Sequence, residues 1–371
     1  MMNKRKGFSF MLLMLLMSAL LTSCRSQDTE AKSAEVLTPL TDMTPGALGI
    51  RGFREGTYDY VYLGTFDGKP MKWKVLSDHR NSGETDGLFL LADYGIENCR
   101  FGDTADWESS TGREWCRTFY ENPEIFSEQE RALILYTKKA EDCDYKLPLN
   151  REGYYQSSSL SGDYCFFLSA SEAMQEEYGF PTHIRTDDSR TVEYEGRLRW
   201  WWLRSAYSED PNRECIVYRD GNITNDSSTR TVILARPAFN MSKADPSIFF
   251  SKRTEEENTW KLTLSDEKNL PTPEITDPVF SGEQITFRCK NLKSESHTHL
   301  SVLITNKDQS EIYAYESFPE QAVNTEEVLS VSVPEGFSDD SCSVLVFAEN
   351  NDPSNAVCYA GKPAVLQFAE K

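Results

Sequence analysis

The chain has 371 residues, 39% of them hydrophobic, and its 59 acidic residues outnumber 39 basic ones to give a formal net charge of −20. A surface this acidic repels phosphate backbones, which argues against nucleic acid as a partner. It also repels anionic lipid headgroups, so surface charge does not provide an attachment to a membrane.

The first 23 residues have the order of an export signal. Residues 4–6, KRK, precede an apolar run from Phe8 to Leu21. This run is shorter than the about 20 apolar residues that a spanning helix needs, so we expect a signal that is removed. Residues 21–24, LTSC, resemble the bacterial lipobox, which implies fatty acyl chains on Cys24. The chain is then expected in the bacterial cell envelope, anchored by lipid and facing outside the cytoplasm.

Two segments are predicted to be linkers. Residues 24–50 hold the lipidated cysteine and a tether, since they lack helical or strand periodicity and contain Pro39 and Pro45. Residues 265–278, SDEKNLPTPEITDP, interrupt the apolar pattern with three prolines. The sequence therefore predicts two domains, at residues 51–264 and 279–371.

Residues 51–264 mix predicted strands with predicted helices. Ser109 or Ser110 can cap a first helix, and capping boxes begin at Ser127 and Ser169. Alternating apolar residues predict strands at 58–64, 70–76, 87–92, 164–168, 198–205, 214–221, 231–239 and 259–264. Helices in the middle and antiparallel strands at both ends predict an α+β domain.

Residues 279–371 differ from the first domain in that they predict six or seven short strands and no helix. This rhythm is typical of an all-β, immunoglobulin-like sandwich. Cys289 and Cys342 fall on separate predicted strands and could form an inter-sheet bridge. An even number of cysteines beyond Cys24 permits disulfides, although some of them could equally remain buried thiols.

Several blocks of the first domain resemble a bacterial family of unknown function found on secreted and surface proteins. Its W-W-L-R-S and R-P-A elements are the distinctive ones. The blocks are W-x-V-L at 73–76, W-E-S-S-T-G-R-E-W at 107–115, F-S-E-Q-E-R-A-L-I at 126–134, F-L-S-A-S-E at 167–172, W-W-L-R-S at 201–205 and R-P-A-F at 236–239. The order of elements also resembles the C-type-lectin-like fold of formylglycine-generating enzymes. Where family members usually have leucine after the helix tryptophan, this chain has Cys116.

Three adjacent tryptophans offer a candidate carbohydrate platform, since aromatic faces stack on sugar C–H groups. Strand alternation places Trp200 and Trp202 on one side and Trp201 on the other. At least one tryptophan must therefore face the core, and we expect Trp201 and one neighbour there. Trp200 is the residue expected to be exposed.

Arg204 and Arg236 stand at matching ends of predicted strands. They could clamp a ligand carboxylate, or they could form buried bidentate bridges with Asp163, Asp220 or Glu172, and the structural role is favoured. Asp220 begins a loop whose other oxygen-bearing side chains are Asn222, Asn225 and Asp226. Calcium is possible there, although no complete calcium-loop motif occurs and no other cofactor or metal is expected.

The sequence contains no nucleophile elbow, zinc-protease motif, phosphate-binding loop or dinucleotide fingerprint. We therefore predict a non-catalytic binding module for an extracellular glycan, peptide or protein. Trp200, Trp202, Arg204, Asp220 and Arg236 are the candidate ligand-binding residues. The alternative is an exported enzyme on a scaffold like that of the formylglycine-generating enzymes.

Overall fold

The computed structural model describes residues 37–140, 144–146, 154–156, 159–290, 292, 297–319 and 328–368. Cys24 and the export signal lie outside these residues, as does Cys143. The strands before residue 266 are β1 Met43–Pro45, β2 Tyr60–Phe66, β3 Lys69–Ser77, β4 Gly87–Ala92, β5 Asn98–Cys99, β6 Ile134–Leu135, β7 Thr137–Lys139, β8 Asp144–Lys146, β9 Tyr154–Gln156, β10 Leu160–Asp163, β11 Phe166–Phe167, β12 Glu193–Tyr194, β13 Arg197–Leu198, β14 Trp201–Tyr207, β15 Arg213–Val217, β16 Ile223–Ser227, β17 Ile233–Leu234, β18 Pro237–Ser242, β19 Ile248–Arg253 and β20 Thr259–Ser265. The later strands are β21 Glu274–Phe280, β22 Gln284–Lys290, β23 Thr298–Asn306, β24 Ile312–Pro319, β25 Leu329–Ser332, β26 Cys342–Asn350, β27 Cys358–Ala360 and β28 Ala364–Val365.

Helical structure is sparse in the described residues. It consists of α1 Thr111–Glu121, α2 Glu128–Leu133 and four single 3₁₀ turns at Trp107–Ser109, Glu172–Met174, Glu176–Tyr178 and Asp188–Arg190. The predicted α+β class is therefore wrong, because the chain is predominantly β. The capping signals themselves were read correctly at two positions: Ser110 accepts from the Arg113 amide to begin α1, and Ser127 forms a capping box with Glu130.

The third capping signal shows why helix content was overestimated. Ser169 and Glu172 exchange the two expected bonds, from the Ser169 amide to Glu172 Oε2 at 2.9 Å and from the Glu172 amide to Ser169 Oγ at 3.1 Å. The chain nevertheless makes only two 3₁₀ turns before Gly179 adopts a left-handed φ of 76°. A cap satisfies the first amides of a helix but does not determine its length, which depends on packing.

Two sheets form the body of residues 37–265. The larger one runs β11-β18-β4-β3-β2-β20, and the other runs β16-β15-β14-β17-β5 with β9 paired to β14 and β8 paired to β9. Strand β14, which holds the W-W-L-R-S block, is central: it pairs antiparallel with β15 and parallel with β17. Side chains on both faces of β14 are consequently buried, which explains its continuous apolar and aromatic sequence.

Residues 274–368 form two facing layers. Strands β21, β22 and β25 make a three-stranded sheet. It packs through Ile285 and Phe287 on Leu300 and Val302 of β23 and on Val346 of β26. The strands predicted in this part are present. Cys289 and Cys342 are both buried free thiols, however, so the bridge considered for them is absent.

The two parts share one sheet. Strand β27 pairs in parallel with β20, so the order β2-β20-β27-β26-β23-β24 continues across residues 266–273. Phe250 of β19 lies in one apolar cluster with Leu303 and Phe347. Beside this cluster the fully buried Glu349 accepts hydrogen bonds from Ser301 at 2.6 Å, Tyr315 at 2.7 Å and Thr263 at 3.2 Å. Both apolar and polar contacts therefore join the parts.

The described end of the predicted tether is packed. Met43 is buried and pairs with Lys252 of β19, and Leu48 and Ile50 belong to the main apolar core. Residues 37–50 are therefore part of the folded body instead of the free tether expected for residues 24–50. Their missing periodicity reflects how short the paired stretch is, since β1 has three residues.

Candidate functional site

Arg204 forms a buried ion pair with Glu172, one of the three partners considered from the sequence. Its NH1 donates to Glu172 Oε2 at 2.6 Å and to the Phe167 carbonyl at 2.6 Å, and its NH2 donates to Glu172 Oε1 at 3.0 Å. Neither residue is more than 1% exposed. Burial alone would raise the pKa of Glu172, but Arg204 and Lys139 hold it well below its usual range. Arg204 thus joins β14 to the β11 region and is closed to ligands.

Arg236 is buried, and it forms no ion pair with a carboxylate of the residues that the structure describes. Its Nε donates to the Ala92 carbonyl at 2.9 Å and its NH1 to the Arg190 carbonyl at 3.3 Å, while the guanidinium lies 4.8 Å from the Trp201 ring centroid. Burial lowers its pKa to about 10, partly offset by Asp93. Carbonyls and an aromatic face replace the predicted ion pair, and a ligand clamp at this position has no exposed surface to act through.

Two of the three tryptophans are in the core, and Trp200, which precedes β14, is the one with exposed surface; the alternation that grouped Trp200 with Trp202 does not describe this arrangement. Trp201 and Trp202 have no exposed surface, and their indole nitrogens donate to the Arg190 carbonyl at 2.9 Å and the Cys99 carbonyl at 3.0 Å. Trp202 is therefore a core residue and not a ligand contact. Trp200 remains partly exposed and stacks on Tyr218, with ring centroids 4.8 Å apart.

The loop considered for calcium uses its oxygens locally. Asp220 accepts from the Asn222 amide at 3.0 Å, and Asp226 accepts from Arg230 at 3.1 Å. Asn225 accepts from the Arg213 guanidinium. Within the described ranges, no three His, Cys, Asp or Glu side chains converge in a way that suits a metal ion. The structure therefore adds no support for calcium at these positions.

A cavity of about 460 Å³ opens between α1 and the segment from β10 to Cys165. Tyr120 and Tyr164 form part of its wall as a parallel stack, with ring centroids 4.4 Å apart and planes 5° apart. Tyr136 meets Tyr164 edge-on at 5.3 Å. Tyr136 and Tyr164 are 51% and 38% exposed, so aromatic surface faces the opening. We refer to this cavity as the tyrosine pocket.

Ion pairs fix the polar side of the tyrosine pocket. Arg113 donates through Nε to Asp163 Oδ1 at 2.6 Å, and its NH1 lies 2.8 Å from Glu108. These contacts raise the pKa of Arg113 against the opposing effect of burial. Asp163 is 7% exposed and its second oxygen lacks a hydrogen-bond partner. The pocket therefore combines aromatic faces with a positioned guanidinium and carboxylates, a set that can stack on and hydrogen-bond a polar ligand.

Gly162 shapes the pocket wall. Its φ of 150° is unusual for residues with a side chain, and an added Cβ would lie 1.8 Å from the Tyr136 hydroxyl oxygen. Only glycine allows Tyr136 to lie so close to the backbone of β10. Sequence reasoning missed this pocket because its tyrosines come from three separate segments; the available signal was the Y-C pair at 164–165, next to the recognised F-L-S-A-S-E block.

Glu214 is a buried acid that belongs neither to the tyrosine pocket nor to the Arg204–Glu172 pair. Glu214 on β15 has no exposed surface, and among the described residues its carboxylate has no side-chain hydrogen-bond partner. Burial raises the pKa of Glu214 well above its usual range. On elementary grounds such a carboxyl is held neutral in the folded protein, because an unpaired buried charge is costly.

Residues 85–243 match the model of a family described as a domain of unknown function, DUF6273. The tyrosine pocket, the Arg204–Glu172 pair and the three tryptophans all lie within this region. No curated protein and no solved structure matches the chain. No helix among the described residues is long and apolar enough to span a membrane.

Proposed function

We propose that the chain is a lipid-anchored protein of the bacterial cell envelope whose tyrosine pocket binds an extracellular carbohydrate. The observation that carries the ligand class is the stacked Tyr120–Tyr164 pair beside Arg113 and Asp163. Sugar rings present C–H faces to aromatic side chains and hydroxyls to charged ones, so the aromatic side and the charged side of the pocket can both contact a sugar. Lipid attachment is inferred from residues 21–24.

The pocket supports binding better than it supports the enzymatic alternative. The exposed carboxylates Glu108, Glu114 and Glu121 each form an ion pair with an arginine. A general acid or base needs a free carboxyl near the reacting atom. A peptide remains the second ligand to test, because it can also offer apolar groups and hydrogen-bond donors.

Binding of the full chain to a glycan array, followed by calorimetry with the best ligand, tests the proposal. Replacing Tyr164 by Ala removes half of the stack, and we expect affinity to fall at least about fivefold, since an aromatic contact contributes about 1 kcal/mol or more. Trp200→Ala removes a partly exposed aromatic side chain outside the pocket and serves as the matched control. If Trp200→Ala abolishes binding and Tyr164→Ala does not, the ligand site is the Trp200–Tyr218 surface.

The anchor is tested separately. Growth with a radiolabelled fatty acid should label the wild-type protein, and Cys24→Ala should lose the label and leave the membrane fraction. An unlabelled wild-type protein would show that the lipobox resemblance is accidental. Such a result would not bear on carbohydrate binding in the pocket, which the glycan array tests independently.

A further inference from the structure

Two cysteines face each other where α1 crosses the segment after β10. Cys116 lies in the middle of α1 with no exposed surface, and Cys165 is 4% exposed and borders the tyrosine pocket. Both are free thiols here. Side-chain contacts near the two cysteines hold α1 against the segment that carries Cys165. These contacts determine how the two thiols are oriented relative to each other.

Contacts along one face of α1 position Cys116. Residues three before and four after a helical residue share its face. At these positions Arg113 bonds to Asp163 at 2.6 Å, and Tyr120 stacks on Tyr164 at 4.4 Å. Asp163 and Tyr164 are the two residues immediately before Cys165 in the chain. Cys116 is therefore held between two contacts to the very segment that ends in Cys165.

The helix also approaches this segment closely. At Gly112, one turn before Cys116, an added Cβ would lie 3.1 Å from the Phe167 ring. Glycine there allows the helix to lie against the strand that follows Cys165. Burial raises the pKa of Cys116 well above its usual range, and Cys165 is the neighbouring group that adds most to this shift. Cys99 is a more distant neighbour whose charge has a smaller effect on Cys116.

We propose that Cys116 and Cys165 form a disulfide when the protein meets an oxidising thiol–disulfide couple, such as that of an extracytoplasmic compartment. The site requires no ligand in the pocket and so stands apart from the proposed carbohydrate binding. The flanking contacts, Arg113 with Asp163 and Tyr120 with Tyr164, hold the two cysteine-bearing elements against each other, as a disulfide between them requires.

The bond forms by two exchange steps. The Cys165 thiolate, which borders the cavity, attacks one sulfur of an oxidant disulfide such as oxidised glutathione and releases one glutathione thiolate. The Cys116 thiolate then attacks Cys165 in this mixed disulfide and releases the second. Two protein thiols are oxidised and one glutathione disulfide is reduced, and the two protons lost by the protein thiols end on the two released glutathione thiolates. Because the pKa of Cys116 is raised, the second step is slow in the folded protein and faster during folding.

Mass spectrometry of the full chain tests this pairing. One sample is incubated folded with oxidised glutathione and a second is refolded from urea in the same oxidant. Both are then alkylated and digested without reduction. We expect a linked peptide pair containing Cys116 and Cys165, in the refolded sample at least, with Cys99 alkylated. Alkylation of both Cys116 and Cys165 in both samples, or linkage of either one to Cys99 or Cys143, would overturn the proposal.

Two variants separate the bond from a general effect of oxidant. Cys165→Ser should lose the linked pair, and its melting temperature should be the same with and without reductant. Cys99→Ser, the matched control at the neighbouring thiol, should keep the pair and should melt higher when oxidised. A Cys165→Ser protein that still gains stability on oxidation would show that a different bond is responsible.

Discussion

Replacing Arg204 by methionine should destabilise the fold more than any change to a surface ion pair. The substitution keeps most of the side-chain volume but removes three donors, two to Glu172 and one to the Phe167 carbonyl. Removing one partner of a buried pair costs about 3–5 kcal/mol, because the other charge stays buried. Glu172 keeps bonds from Lys139 at 2.7 Å and Asn81 at 2.9 Å, so we expect the lower end, about 3 kcal/mol.

Urea unfolding followed by tryptophan fluorescence measures this loss. Arg54→Met is the matched control, since the pair of Arg54 with Asp78 is exposed and its loss should cost less than about 1 kcal/mol. Arg204→Lys keeps the charge without the two-pronged geometry and should fall between the two. If Arg204→Met costs no more than Arg54→Met, the pair does not hold β14 to the β11 region as argued.

Three further outcomes are expected. Glu214→Gln removes a buried carboxyl whose pKa is raised, so the stability of the wild-type protein should fall as pH rises above the ordinary carboxyl range. In urea titrations at several pH values, the stability of the variant relative to wild type should increase there by up to about 1.4 kcal/mol for each pH unit. Glu349→Gln should lower the unfolding midpoint measured by circular dichroism and also the midpoint measured by tryptophan fluorescence. All seven tryptophans precede residue 265, but Glu349 bonds to Thr263 across the joined sheet, so loss of this bond should affect both parts. A shift in circular dichroism alone would contradict this. Gly162→Ala should lower the free energy of unfolding, measured with heat or urea, by more than about 1 kcal/mol, because the φ of Gly162 is positive and Tyr136 occupies the space of the added methyl group. An unchanged stability would mean that Tyr136 can move to make room for it.

The sequence alone determined most strands and both α-helix starts. Strand β4 coincides with the predicted range 87–92, and α1 and α2 begin after the serines chosen as caps. These signals are local: alternation, capping side chains and turn residues act within a few neighbours. Alternation was less reliable at the three tryptophans: it grouped Trp200 with Trp202, but Trp200 lies before β14 and Trp202 is buried with Trp201.

Only the tertiary structure decided the fold class and the site. A helix signal such as that at Ser169 gives no length, and the chain there makes single turns because Glu172 is drawn into a buried pair with Arg204. Arg236 took carbonyl and aromatic partners instead of a carboxylate. The tyrosine pocket joins residues up to 57 positions apart, from Glu108 to Cys165. Such convergence depends on how the strands pair, and no local pattern in one sequence specifies it.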